Sequence, residues 1–304
     1  MSSVGQAGTP ASQPPARVRG HRYAPPVPVD RPDRSVDRPD RPDRTPEGPT
    51  DRPVPPARPG GPWTWTVPTV PAAHLPLVLH VAQRRLAAGS EVDLAVPGED
   101  SHGSGAPPLG ELLVGAGFRV VDLQPVGRDG VAVARVVRER TLADTVGPGM
   151  RLLVCGVNPS VYSAEAGVGY ARPGNRFWPA ALAAGLVEVD RDPVAALARG
   201  VGMTDFAKRA TRTAAEVTPA EYNAGFARVT GLVRWLRPGA VCFVGLSGWR
   251  TVVDRHAVAG PQPDGVGGRP AYVMPSTSGL NARTSQAELT AHLAAALALG
   301  SSAG

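Results

Sequence analysis

From residue 147 onward, short runs of uninterrupted apolar residues alternate with stretches in which apolar positions recur every three or four residues. The runs RLLVCG (151–156), AVCFVG (240–245) and AYVMP (271–275) are too short for helices and too apolar for edge strands, so they predict buried strands. Between them the periodic stretches predict helices over 175–185, 218–239, 249–257 and 284–300. The 218–239 stretch carries the fullest start signal. Thr218 stands at the cap, Pro219 in the first turn, and Glu221 completes a capping box. Ser285 and Glu288 repeat that box on the final helix. Apolar strands separated by helices predict a parallel sheet covered on both faces, an α/β/α three-layer domain over 147–300.

Upstream the pattern changes twice. Residues 63–146 predict a small α/β domain. It has a helix over 74–89, a strand EVDLAVP, a helix over 108–117, and two strands joined at Arg128-Asp129-Gly130, a hairpin signal. Residues 1–62 carry scattered apolar positions, and Asp-Arg-Pro recurs at Asp30, Asp37, Asp40 and Asp51. Such a segment buries too little to offset its ordering entropy, so a disordered Pro/Arg/Asp-rich tail is expected.

Composition refines this picture. The 304 residues are 42% hydrophobic and carry a formal net charge of +6. Residues 148–304 hold 15 Lys/Arg against 10 Asp/Glu, so most of the excess sits where the parallel sheet is expected and favours a polyanionic partner. Cys155 and Cys242 each lie inside an apolar run and read as core thiols. Two cysteines supply neither an iron–sulfur cluster nor a Cys-rich zinc site. No apolar stretch approaches about 18 residues. A monomeric, cytoplasmic, nucleoid-associated protein without membrane contact is expected.

In doubly covered parallel sheets ligands bind beyond the carboxyl ends of the strands. The loops that follow Gly156, Gly245 and Met274 are therefore the candidate site. The first carries Asn158, Pro159, Tyr170, Asn175, Arg176, Phe177 and Trp178. The second carries Gly245, Leu246, Ser247 and Gly248, and the third reads PSTSGLNAR from Pro275 to Arg283. No Ser-His-Asp set, Walker loop or metal-ligand spacing is present, and His256 and His292 fall in helices. An amide is no strong base, but it can hold a water. That suffices where the leaving group departs largely unaided, as when an N-glycosidic bond breaks and uracil or thymine leaves as an anion stabilised by backbone N–H groups. Phe177 and Trp178 read as core packing. Asp205, in GMTDFAKRAT, reads as a turn or helix-cap residue, and Lys208, Arg209 and Arg212 as either a DNA-facing patch or a solvated face.

GVNPS, YARPGNRFW and MPSTSGLNAR together resemble the mismatch-specific uracil/thymine DNA glycosylases, within the uracil-DNA glycosylase superfamily. The resemblance runs from about Gly147 to Leu299. It implies that Asn158 positions the attacking water, that Tyr170 stacks on the extruded base, and that Gly156, Val157, Asn175 and Ser276 shape the base pocket. Gly279, Leu280 and Arg283 would form the wedge that enters the duplex and contacts the opposite strand. It also implies a reaction without metal or cofactor, on double-stranded DNA with G·U or G·T mismatches. Ser160 departs from the glycine that commonly follows Asn-Pro, and its side chain has room to crowd the backbone near the pocket. Ser276 stands where some relatives carry asparagine.

Two other readings remain open at this level. One is a catalytically silent mismatch- or lesion-binding module, kept alive by Ser160. The other places methyltransferase activity in residues 63–140, whose helix, AGFRVVDL strand and hairpin resemble the closing part of a class I methyltransferase. The glycine-rich loop that would hold the methyl donor is not present upstream, so no methyl transfer is expected.

Overall fold

The computed structural model describes residues 63–97 and 105–301, and the expected tail over 1–62 lies outside the described residues. Two sheets organise the described chain. The first runs in the order β1-β2-β4-β3, from β1 (Trp63–Thr66), β2 (Glu91–Pro97), β3 (Phe118–Leu123) and β4 (Val131–Arg138). The β3–β4 hairpin is antiparallel as its turn signal requires, while β1 pairs parallel to β2. Helices α1 (Leu75–Arg85) and α2 (Leu109–Gly115) cover it, burying Leu75, Leu79, Leu109 and Leu113 against Leu94 and Val136.

The second sheet has the order β6-β5-β7-β9-β8 and is parallel except for the short β8. Its strands are β5 (Leu152–Gly156), β6 (Val201–Asp205), β7 (Ala240–Val244), β8 (Gly260–Pro261) and β9 (Ala271–Met274). The three strands legible as apolar runs form its centre. Successive side chains alternate between two cores. Leu153, Cys155, Val241, Phe243 and Val273 face α6 (Pro219–Leu236) and α7 (Leu246–Val252). Leu152, Val154, Cys242, Tyr272 and Met274 face α4 (Phe177–Ala183), α5 (Pro193–Ala198) and α8 (Gln286–Ser301). The α/β/α layering expected from the strand pattern is therefore present. The two cysteines are buried on opposite faces of the sheet, as core thiols.

Helix α6 shows which force sets the packing. Its Thr218/Glu221 capping box forms, and Arg237 ends it in the left-handed conformation at φ 49°. Gly225 and Gly231 cost it about 1 kcal/mol each in helix propensity. Burial of Val229, Leu232, Val233 and Leu236 returns about 6–12 kcal/mol and wins. Gly225 is also required sterically, because a side chain there would run into the Phe206 backbone. On the far side of α6, Trp235 packs against the core of the first sheet, so one helix serves both sheets.

Two elements, β6 and the six-residue α3 (Val161–Ala166), carry no clear sequence signal, and a third, α7, departs from its predicted start. Strand β6 contains Gly202, which leaves room for the Met150 sulfur, and this interrupts its apolar run. Helix α3 forms within what reads as an irregular loop. Helix α7 starts three residues earlier than its apolar pattern suggests, directly after Gly245.

Candidate active site

The strand ends of the second sheet open into a cavity of about 280 Å³. Asn158, two residues beyond β5, is fixed there by its own amide nitrogen. Nδ2 donates to the Pro159 carbonyl at 3.1 Å, the Arg209 carbonyl at 2.9 Å and Thr211 Oγ1 at 2.7 Å. Thr211 Oγ1 itself donates to the Thr213 carbonyl, so toward Asn158 it can only accept. The network thereby sets which end of the amide is which. Oδ1 remains a hydrogen-bond acceptor with no protein donor among the described residues, on a side chain that lines the cavity.

Ser160 lines the cavity, with its hydroxyl engaged by the start of α3. Its hydroxyl caps α3, accepting from Ser163 N at 3.1 Å and lying 3.1 Å from Ser163 Oγ. Ser163 Oγ in turn accepts from Ala171 N at 3.3 Å, and Trp178 Nε1 donates to the Gly169 carbonyl at 2.8 Å. Both bonds pin the loop that carries Tyr170. That residue takes φ 59°, and its ring stacks on Phe177 with centroids 4.1 Å apart. Phe177 and Trp178 are fully buried, as the core reading holds, and Phe177 additionally braces the cavity wall. The Tyr170 hydroxyl is buried without a partner, and burial first, then the Asp205 charge, pushes its pKa well up.

Asn175 lines the cavity, and its Oδ1 accepts from Phe177 N at 2.9 Å in a turn that leads into α4. Arg176, named in the candidate loop from sequence without a role, gains one here. Its amide donates to the Thr277 carbonyl at 2.9 Å, and its guanidinium reaches the carbonyls of Thr284, Ser278 and Asn281. It clamps the 275–284 loop against the Asn175 loop, and Gly279 faces the Gly174 backbone so closely that a side chain would not fit. Held this way, Leu280 projects into solvent at 84% exposure from the cavity rim. Ser276 also lines the cavity, its Oγ accepting from Ser278 N. Arg283 is exposed and lies beyond the cavity lining, while Gly156 is buried at the strand end and Val157 lines the wall.

Two expectations need correction. The loop after Gly245 does not build the cavity. Helix α7 begins at once, and Gly248 sits against the Phe206 ring on the other side of the sheet. Strand β6 takes its place, contributing Met203, Thr204 and Asp205. Asp205, moreover, caps no helix. It ends β6 in register with Gly156, its carboxylate occupies the space a side chain at Gly156 would fill, and it makes no hydrogen bond among the described residues. Burial, with Asp144 nearby, raises its pKa to about 6 against the opposing pull of Lys208 and Arg228.

The basic cluster in GMTDFAKRATR divides. Lys208 pairs with buried Asp144 at 2.8 Å, Arg209 pairs with Glu221 at 2.7 Å, and Arg212 lines the cavity. Asp144 also takes Arg228 Nη1 at 2.5 Å and the Thr204 hydroxyl at 2.7 Å. From α1, buried His80 reaches the cavity, with Nδ1 3.3 Å from Thr145 Oγ1. Burial, with Arg84 and Lys208 adding to it, lowers its pKa to about 4, so it is neutral at pH 7. Among the described residues no group of three His, Cys, Asp or Glu side chains could hold a metal ion, and no helix is long and apolar enough to cross a membrane.

The chain is similar to a candidate uracil DNA glycosylase from Methanosarcina acetivorans solved by solution NMR. Identity is 22% over 53% of this chain and 97% of that one, with a TM-score of 0.38. Residues 143–298, about half the chain and all five strands of the second sheet, match the uracil DNA glycosylase superfamily, and the chain belongs to that superfamily.

Proposed function

We propose that the protein is a monofunctional DNA glycosylase of the mismatch-specific uracil/thymine kind. Its domain would span 147–300 and remove uracil mispaired with guanine at the start of base excision repair. The observation that carries this reading is the Asn158 network, which turns Oδ1 into a fixed acceptor in a cavity sized for one extruded nucleoside rather than a large ligand. A water donating to Oδ1 is oriented toward C1′ of a flipped sugar. The C1′–N1 bond breaks, its electron pair leaves with the base, and the water oxygen bonds to C1′ while its proton passes to solvent. The amide need only orient the water, because the sugar already carries oxocarbenium character. Lys208, the one lysine of the sequence, is held by Asp144 and is not free to form an imine, which supports simple hydrolysis over a lyase step.

Flipping costs a few kcal/mol, and least at a mispair, which favours G·U over A·U. Leu280 is placed to fill the gap left in the stack. Leu280→Ala is expected to lower single-turnover release from a G·U duplex about tenfold while changing release from single-stranded substrate less than twofold. Equal losses on both substrates would remove the wedge role.

Asp205 makes the reaction pH-dependent. An ionised carboxylate beside a departing anion opposes its charge, so release is expected to slow as pH rises through about 6. Asp205→Asn should raise the rate at pH 8 about tenfold and leave it nearly unchanged at pH 5. A pH profile identical in the two proteins would assign the inflection elsewhere. The reading as a whole is tested by single-turnover release from G·U and A·U duplexes. A clear preference for G·U supports it, and release without preference, or none, sinks it.

A further inference from the structure

Three arginines from the first sheet and its helix gather beside the cavity mouth. Arg84, on the last turn of α1, donates from Nη1 to the Gly167 carbonyl at 2.8 Å, and Gly167 lines the cavity. Arg140 reaches Glu165 of α3 at 3.4 Å, with both side chains more than half exposed. Between them Arg138 ends β4, and its Nε is buried without a hydrogen-bond partner. Arg84 and Arg140 thus reach residues only two apart, at the end of α3, and burial, followed by the Arg84 and Arg140 charges, lowers the Arg138 pKa. The nearby Glu139 is already taken by Arg119 at 2.9 Å. Glu165 is thus the one carboxylate within salt-bridge distance of the cluster among the described residues.

A half-buried Arg138 guanidinium without a partner, beside two exposed like charges, is unfavourable unless an anion completes the group. We propose that Arg84, Arg138 and Arg140 form a phosphate-binding rim that grips the DNA backbone beside the extruded nucleotide. The first sheet would then be part of the DNA interface and not a separate module. The position fits, since Leu142 and Ala143, two and three residues after Arg140, line the cavity themselves. Planar guanidinium forks also match phosphate oxygens better than a point charge does. The inference rests on reading the cavity as a site that takes a nucleotide out of DNA. It concerns residues that lie outside the superfamily match.

The test is binding of an undamaged duplex followed by fluorescence anisotropy across a salt series, with uracil release measured separately. Arg84→Gln combined with Arg140→Gln, both exposed positions, should weaken binding at low salt and flatten the slope of log K against log salt by about 1–2. Glu165→Gln removes the competing anion and should tighten binding severalfold at low salt, an effect a merely structural role would not produce. An unchanged slope in the double variant, or weaker binding by Glu165→Gln, overturns the rim. Loss of uracil release with these salt effects intact would count against the glycosylase reading and leave the rim standing.

Discussion

Asn158→Ala is expected to lower single-turnover uracil release from a G·U duplex by at least about 100-fold while leaving duplex affinity within threefold. The size follows from the role. Losing the Oδ1 acceptor removes the group proposed to orient the nucleophile. Asn158→Asp discriminates further. A carboxylate cannot donate to the Pro159 and Arg209 carbonyls, which currently accept from Nδ2, so the side chain should rotate and lose most of the activity despite its added basicity. Chemical quench with separation of the abasic product measures both. Retention of more than a tenth of wild-type rate in Asn158→Ala would assign the water to another residue.

Asp144→Ala is expected to destabilise the fold by about 3–5 kcal/mol, read from urea unfolding. Its carboxylate lies under Lys208, Arg228 and the Thr204 hydroxyl, with side chains about 5–11% exposed in the ion pairs, and removal leaves two buried cations unpaired. The backbone N–H of Asp144 also holds the Gly115 carbonyl, so the residue joins α2 to the second sheet. Burial alone would push its pKa up, but Arg228 and Lys208 hold it below the ordinary carboxylate range. Its stabilisation is therefore full above the unfolded value near 4 and fades as pH falls through the folded one. The gap between wild type and variant should narrow under acid. A loss below about 1 kcal/mol at pH 7 would show that the cluster relaxes or hydrates in the variant.

The sequence exposed the parts of this structure that rest on uniform local patterns. RLLVCG, AVCFVG and AYVMP are buried on both faces, so they lack polar interruptions and read directly as central strands. The capping boxes at Thr218 and Ser285 are short-range hydrogen-bond devices and form as written. Strand β6 escaped because Gly202 and Thr204 answer to tertiary neighbours, the Met150 sulfur and the Asp144 carboxylate. Missing β6 left Asp205 read as a turn or helix-cap residue, because its significance depends on lying opposite Gly156 on a neighbouring strand. Asn158, Tyr170 and Leu280 were legible as motif members. The amide orientation of Asn158 was not, because its partners Arg209 and Thr211 stand more than fifty residues away. His80 and Arg84 sit on a helix that gives no sign of reaching the second sheet. The one hint was an imidazole on the apolar face of α1, beside Leu79.

The most direct measurement is to incubate the full chain with a G·U duplex in the presence of a chelator and quantify free base and strand by mass spectrometry. The account expects one uracil released per abasic site, an uncleaved sugar–phosphate backbone, and no sensitivity to the chelator. A duplex that is bound yet returned with its uracil still attached would contradict it.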